Sequence, residues 1–180
     1  MILCVNLNAA IDKTIVVDHF DLGQIHRPQS VLSLAGGKGC NVARVLQTLK
    51  HEAVVTGWVG GFAGQFIEAQ LQQDGMRTAF IQTAVESRMC TSVVDVSNHT
   101  VTEIYEAGVP VQPVEVQQLH DVVRERLGGV RFLVLSGSLP PGAPRNIYAQ
   151  LIEQAHSAGV PVLLDASKDA LQLGLLAQPT

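Results

Sequence analysis

The chain has 180 residues, of which 47% are hydrophobic and only 16% charged, with a net charge of -4; this balance excludes a disordered chain and allows one main domain with a sizeable core. No basic run is present and aromatic residues make up 4%, so neither a phosphate-tracking stripe nor a base-stacking platform is available for nucleic acid. No apolar run reaches the ~18 to 20 residues of a membrane span, and Met1-Ile2-Leu3-Cys4-Val5 gives way to polar Asn6 and Asn8, unlike a secretory signal, so a cytoplasmic location without a membrane partner is expected.

Ile2 to Leu7 is a short apolar run and reads as a buried first strand. Lys13 to Phe20 and Gln29 to Leu34 are rich in β-branched and aliphatic residues around the turn Asp21-Leu22-Gly23, which predicts a hairpin. A glycine turn then leads into a helix whose Val42, Val45, Leu46 and Leu49 form one apolar stripe, expected to pack on a sheet. Ala53 to Val59 followed by Phe62 to Gln73 reads as a strand and helix, closed by Asp74-Gly75. A strand at Ala79 to Thr83 precedes a second predicted hairpin, Cys90 to Val96 and Thr100 to Tyr105, turning at Ser97-Asn98-His99.

Beyond Gln112 the pattern repeats: helix Val114 to Leu127, strand Phe132 to Leu135, helix Arg145 to Ser157, strand Pro161 to Leu164, helix Lys168 to Leu176. Helices alternating with short, continuously apolar strands predict a mostly parallel sheet covered on both faces, hence an α/β fold. The hairpins break that rhythm and are expected to leave the main sheet together as a small lid, over about 12–34 and 89–106.

The turn Gly36-Gly37-Lys38-Gly39 raises the question of a phosphate loop. A P-loop fails at both ends, because with Gly37-Lys38 as its G-K pair the first glycine falls on Leu32 and the hydroxyl on Gly39. A dinucleotide fingerprint started at Gly37 and Gly39 places its third glycine on Val42. What remains is a helix N-terminus with a lysine and, at Asn41, an amide facing the same space; on its own it is a ligand turn or a tight helix cap. Cys4, Cys40 and Cys90 are unpaired in spacing and read as small buried hydrophobes, without a disulfide framework or metal site.

Read in order, Asn6-Leu7-Asn8-Ala9-Ala10-Ile11-Asp12, Ala35-Gly36-Gly37-Lys38-Gly39-Cys40-Asn41-Val42-Ala43, Trp58-Val59-Gly60-Gly61, Ser87-Arg88, Ser136-Gly137-Ser138-Leu139-Pro140-Pro141-Gly142 and Leu164-Asp165-Ala166-Ser167 resemble the ribokinase-like (PfkB) carbohydrate kinases. The A-G-G-K-G-x-N-V-A block resembles the branch with 1-phosphofructokinase and tagatose-6-phosphate kinase. The resemblance implies an α/β/α sandwich with a β lid, a homodimer through that lid, and transfer of phosphate from ATP with Mg2+ to a hexose phosphate: fructose 1-phosphate, fructose 6-phosphate or tagatose 6-phosphate. By the same resemblance Asp12 accepts hydrogen bonds from sugar hydroxyls, Gly36, Gly37, Lys38 and Asn41 form the sugar turn, and Arg88 takes the substrate's phosphate. The residue types suit these tasks, since a carboxylate is a fixed acceptor and a guanidinium fork matches a phosphate.

Other assignments are weaker. Arg27, on the first hairpin, can reach a phosphate across a dimer interface or lie solvated at the surface. Ser138 resembles a secondary sugar-phosphate contact. Asp165 resembles the acidic residue near the magnesium nucleotide, with a helix N-cap as its alternative. The six histidines form no spaced ligand set.

The family's second signature, a G-A-G-D-type segment carrying the catalytic base, does not occur in these 180 residues. The expectation is therefore a substrate-binding portion over 1–180, with the base and the C-terminal nucleotide portion lying outside it and the chain inactive alone. The alternative is a non-catalytic sugar-phosphate-binding module derived from a kinase.

Overall fold

The structure, a computed structural model, describes residues 1–108 and 110–180. In chain order its first half runs β1 (Ile2–Asn6), β2 (Ala10–Val17), β3 (Ser30–Gly36), α1 (Lys38–Thr48), β4 (Ala53–Gly60), α2 (Gly61–Gln73) and β5 (Arg77–Thr83). The remainder runs β6 (Arg88–Asp95), β7 (Thr100–Tyr105), α3 (Pro113–Leu127), β8 (Phe132–Ser136), α4 (Ile147–Ser157), β9 (Val162–Asp165) and α5 (Lys168–Leu176).

The apolar runs of β1, β4 and β8 have no polar side to show solvent, and they pair at the centre of a five-stranded parallel sheet of order β5-β4-β1-β8-β9. On one face α1 and α2 pack Cys40, Ala43, Ile67 and Leu71 against Cys4, Val55 and Val134. On the other, α3 and α4 pack Leu119, Val123, Leu151 and Ile152 against Leu3, Val5, Leu133 and Leu135. This is the expected α/β/α sandwich with a mostly parallel sheet.

The apolar stripe expected on α1 packs only in part: Val42 and Leu46 lie partly buried against the core. Gly39, Cys40 and Ala43 are buried, whereas Val45 and Leu49 are largely exposed. The helix lies so close to β1 that only small residues fit between them. Elsewhere the differences are short: β5 begins at Arg77 rather than Ala79, and α4 at Ile147 rather than Arg145. Pro113 at the first position of α3 and a capping box between Gln112 and Glu115 fix where that helix starts.

The predicted hairpins form as β2 with β3 and β6 with β7, but β2 begins at Ala10 and ends at Val17, three residues before the predicted Phe20. Parallel pairing of β2 with β6 joins both hairpins into one four-stranded lid sheet of order β3-β2-β6-β7. Its register aligns Asp12 with Leu34 on one side and with Cys90 on the other, and Cys90 in turn with Tyr105. Residues aligned in this way share one face of a sheet.

At the far end of the lid the Asp95 carboxylate accepts the Asn98 N–H (2.9 Å), the Asn98 side-chain amide (2.8 Å) and the Phe20 N–H (2.9 Å). These bonds, led by the Asn98 N–H, hold its carboxyl down to about 2. A depressed carboxyl stabilises the fold above the ordinary aspartate range, and that contribution is lost as pH falls toward the folded value. Asp95→Ala is therefore expected to speed hydrogen exchange at Phe20 and Asn98 at neutral pH while β4 stays protected. Acidifying the unaltered protein from about pH 5 toward about pH 2 should produce the same local loss.

Candidate functional site

Ligands of open α/β sheets sit at the carboxyl ends of the strands. There, between the ends of β1 and β8 and the lid, lies a cavity of about 350 Å3, within the range of small-molecule sites. The body contributes Asn6, Asn8, Gly137 and Ser138, the glycine turn Gly37, Lys38 and Asn41, and the lid Asp12, Arg88, Cys90 and Tyr105. Ala166 and Ser167 complete the wall.

Gly36 lies directly behind this lining, because a Cβ there would collide with the Asp12 carboxylate. Gly37 adopts φ 101, a left-handed conformation that favours glycine, and its bare Cα leaves room for the Asn6 side chain. Buried Asn6 donates from Nδ2 to the Gly36 carbonyl (3.2 Å) and to Cys40 Sγ (3.0 Å), tying the turn to the end of β1. Burial pushes the Cys40 thiol up to about 12, so the helix N-terminus beside it does not make it reactive.

Asp12 is half-buried, and desolvation raises its proton affinity; Arg88, then Arg44, then the Gly37 N–H pull it back toward ionisation. Arg88 donates from Nε (3.3 Å) and Nη2 (3.2 Å) to the Asn8 carbonyl and from Nη1 (3.0 Å) to the Glu106 carbonyl. A guanidinium carries five N–H groups, so one hydrogen on Nη1 and one on Nη2 remain uncommitted. Among the described residues no carboxylate lies within ion-pair distance of Arg88. A fixed cationic fork and a carboxylate thus line one cavity, suited to a ligand with a phosphate at one end and hydroxyls at the other.

Lys38 Nζ pairs with both oxygens of Asp165, at 2.9 and 3.0 Å. The N-cap position of α5 belongs to Ser167, not to Asp165. Asn8 Nδ2 donates to Ser138 Oγ (3.1 Å), joining the first strand's exit to the turn after β8. Arg27 lies on the exposed 18–29 loop and does not line the cavity, so a single chain does not bring it to the site.

A family profile described as pfkB family carbohydrate kinase matches residues 5–179. The chain belongs to the pfkB family of carbohydrate kinases. A protein described as a possible 1-phosphofructokinase from Thermotoga maritima is 30% identical, superposes with a TM-score of 0.91, and is matched over 98% of this chain and 57% of its own. Phosphofructokinase-2 from Escherichia coli, solved in complex with fructose-6-phosphate, is 26% identical with a TM-score of 0.91, over 98% of this chain and 58% of its own. That enzyme has also been solved as a tetrameric inhibited form, again 26% identical, with a TM-score of 0.90 over 97% of this chain and 57% of its own. The chain thus spans somewhat over half the length of these solved structures.

Seven cavity residues were given no role from sequence: Asn6, Asn8, Cys90, Tyr105, Gly137, Ala166 and Ser167, the last three lying in the matched blocks after β8 and β9. The two asparagines stand within the first matched block, and polar residues closing an apolar strand at its carboxyl end were the available signal. Cys90 and Tyr105 gave none, because their place depends on the pairing of β2 with β6 and of β6 with β7.

Proposed function

We propose that residues 1–180 form the acceptor side of a pfkB-family kinase that phosphorylates a hexose phosphate, with fructose 1-phosphate, fructose 6-phosphate and tagatose 6-phosphate as candidates. The observation that carries this reading is the Arg88 fork facing the same cavity as Asp12. Arg88 takes the phosphate already on the sugar. Asp12, set against the Gly36-Gly37 turn, accepts from sugar hydroxyls, Asn41 holds the ring, and Ser138 is a second polar contact.

ATP is the phosphoryl donor in this reading, accompanied by Mg2+, which supplies charge neutralisation for the transferring group. Asp165 would give that ion a carboxylate, and Lys38 would face the transferring phosphate. Both side chains of this pair are more than half exposed, at 55% and 61%, so neither is locked away from an incoming ligand. Among the described residues no group of three or more His, Cys, Asp or Glu could hold a metal ion, so the ion would share its ligands with phosphate oxygens.

The cavity-facing side of the lid continues outward through exposed Leu32 and Val101, with Leu34 and Tyr105 at its inner end. This apolar strip supports a homodimer through the lid, in which Arg27 would reach the partner's phosphate. Val101→Glu is expected to leave the fold intact and give a monomer by light scattering; an unchanged dimer would place the contact elsewhere, and a monomeric unaltered protein would remove it.

Calorimetry with the three sugar phosphates and a coupled ATP assay test the reading together. Binding of at least one of them without turnover by these 180 residues is expected. Turnover abolished by Asp12→Ala would overturn the division into an acceptor side and a separate nucleotide side, and absence of any binding would overturn the sugar-phosphate assignment.

A further inference from the structure

Arg44, nearly two turns into α1, reaches back to the glycine turn. Its Nη1 donates to Asn41 Oδ1 (3.0 Å), its Nη2 to the Ala35 carbonyl, and its Nε reaches Asp74 Oδ2 at 3.5 Å. Ala35 lies on β3, one of the two outer strands of the lid sheet, and its N–H is taken by Gln70 Oε1 of α2. Both backbone groups of the residue before Gly36 are therefore gripped by side chains of the body.

An asparagine amide can turn either its oxygen or its nitrogen toward a ligand. With Oδ1 held by a cationic donor, the Asn41 amide presents Nδ2, and with it two N–H groups. Asp12, on lid strand β2, lines the same cavity and can only accept while ionised. The cavity then offers a donor on the turn and an acceptor on the lid, and a sugar hydroxyl, being both donor and acceptor, satisfies each.

We propose that Arg44 is a positioning residue for sugar binding: by holding Asn41 Oδ1 and the Ala35 carbonyl together it fixes Asn41 as a donor and sets the glycine turn against Asp12. The proposal rests on the sugar-phosphate reading above and adds to it a residue that touches no ligand. It requires the two-pronged guanidinium and not simply a positive charge, since a lysine ammonium is a point charge that does not match both oxygens in one plane.

The test is a double-mutant cycle on the full 180-residue chain, read as affinity for the best-binding of the three sugar phosphates. Arg44→Lys is expected to weaken binding about tenfold in the unaltered background and less than about twofold in an Asn41→Ala background. Equal losses in both backgrounds would reduce Arg44 to a general structural prop and overturn the proposal.

A ligand-free arm separates this proposal from the functional reading. In NMR spectra, Arg44→Lys should shift the Asn41 side-chain amide and the Gly36 and Gly37 backbone amides while leaving the Asn8 and Ser138 signals in place. If the unaltered protein binds none of the sugars yet those shifts occur, the sugar-phosphate reading falls and the hold of Arg44 on the turn stands. If the turn amides do not move, the proposal falls whatever binds.

Discussion

Gly36→Val is expected to cost both stability and ligand binding. A Cβ at this position collides with the Asp12 carboxylate, and β3 is held in place there by pairing with β2, by Gln70 and by Arg44. With the backbone unable to retreat, the carboxylate must swing away from its site. Overpacking of this kind costs about 1 to 3 kcal/mol, measurable as a lower denaturant midpoint, and the displaced acceptor should weaken sugar-phosphate binding at least tenfold, about 1.4 kcal/mol. Combining Gly36→Val with Asp12→Gly removes the obstacle and should recover much of the stability without recovering binding. A double variant as unstable as the single one would show that the obstruction lies elsewhere.

Arg88→Ala should have the largest effect on affinity alone. It removes the two uncommitted N–H groups of a side chain that lines the cavity and leaves the Asn8 and Glu106 carbonyls without their guanidinium donor. Hydrogen bonds to a charged group contribute about 1.5 to 3 kcal/mol, so affinity for a sugar phosphate should fall by roughly one to two orders of magnitude. Affinity for the unphosphorylated sugar should change far less. Equal losses for both would mean that Arg88 acts only by bracing the lid against the body.

The alternation of apolar strands and helices after Gln112 could be read directly, since burial on both faces of a parallel sheet leaves no polar side to confuse the period. The cavity residues Asp12, Gly37, Lys38, Asn41, Arg88 and Ser138 could also be found, because each sits in a short block at a strand end or turn. The packing of α1 could be read only in part. Of its stripe Val42 and Leu46 pack while Val45 and Leu49 stay largely exposed, and the close approach to β1 is made by Gly39, Cys40 and Ala43, whose small size carries no periodic hydrophobic signal.

Partnerships between distant segments were equally hidden. The pairing of Lys38 with Asp165 spans 127 residues, and the bond from Asn8 to Ser138 spans 130. No local pattern specifies either. Arg44 stands immediately after the most legible block in the chain, but its value lies in two oxygens, Asn41 Oδ1 and the Ala35 carbonyl, that only the folded turn brings together.

In the proposed function one cavity in these 180 residues recognises a sugar through Asp12 and its phosphate through Arg88. Calorimetric titration of the unaltered chain and Arg88→Ala with fructose 1-phosphate, fructose 6-phosphate, tagatose 6-phosphate and plain fructose tests it most directly. At least one phosphorylated sugar is expected to bind the unaltered chain, more tightly than fructose, and this preference is expected to disappear in Arg88→Ala. A preference for the phosphorylated sugar that survives the loss of Arg88, or no binding of any of the three, would contradict it.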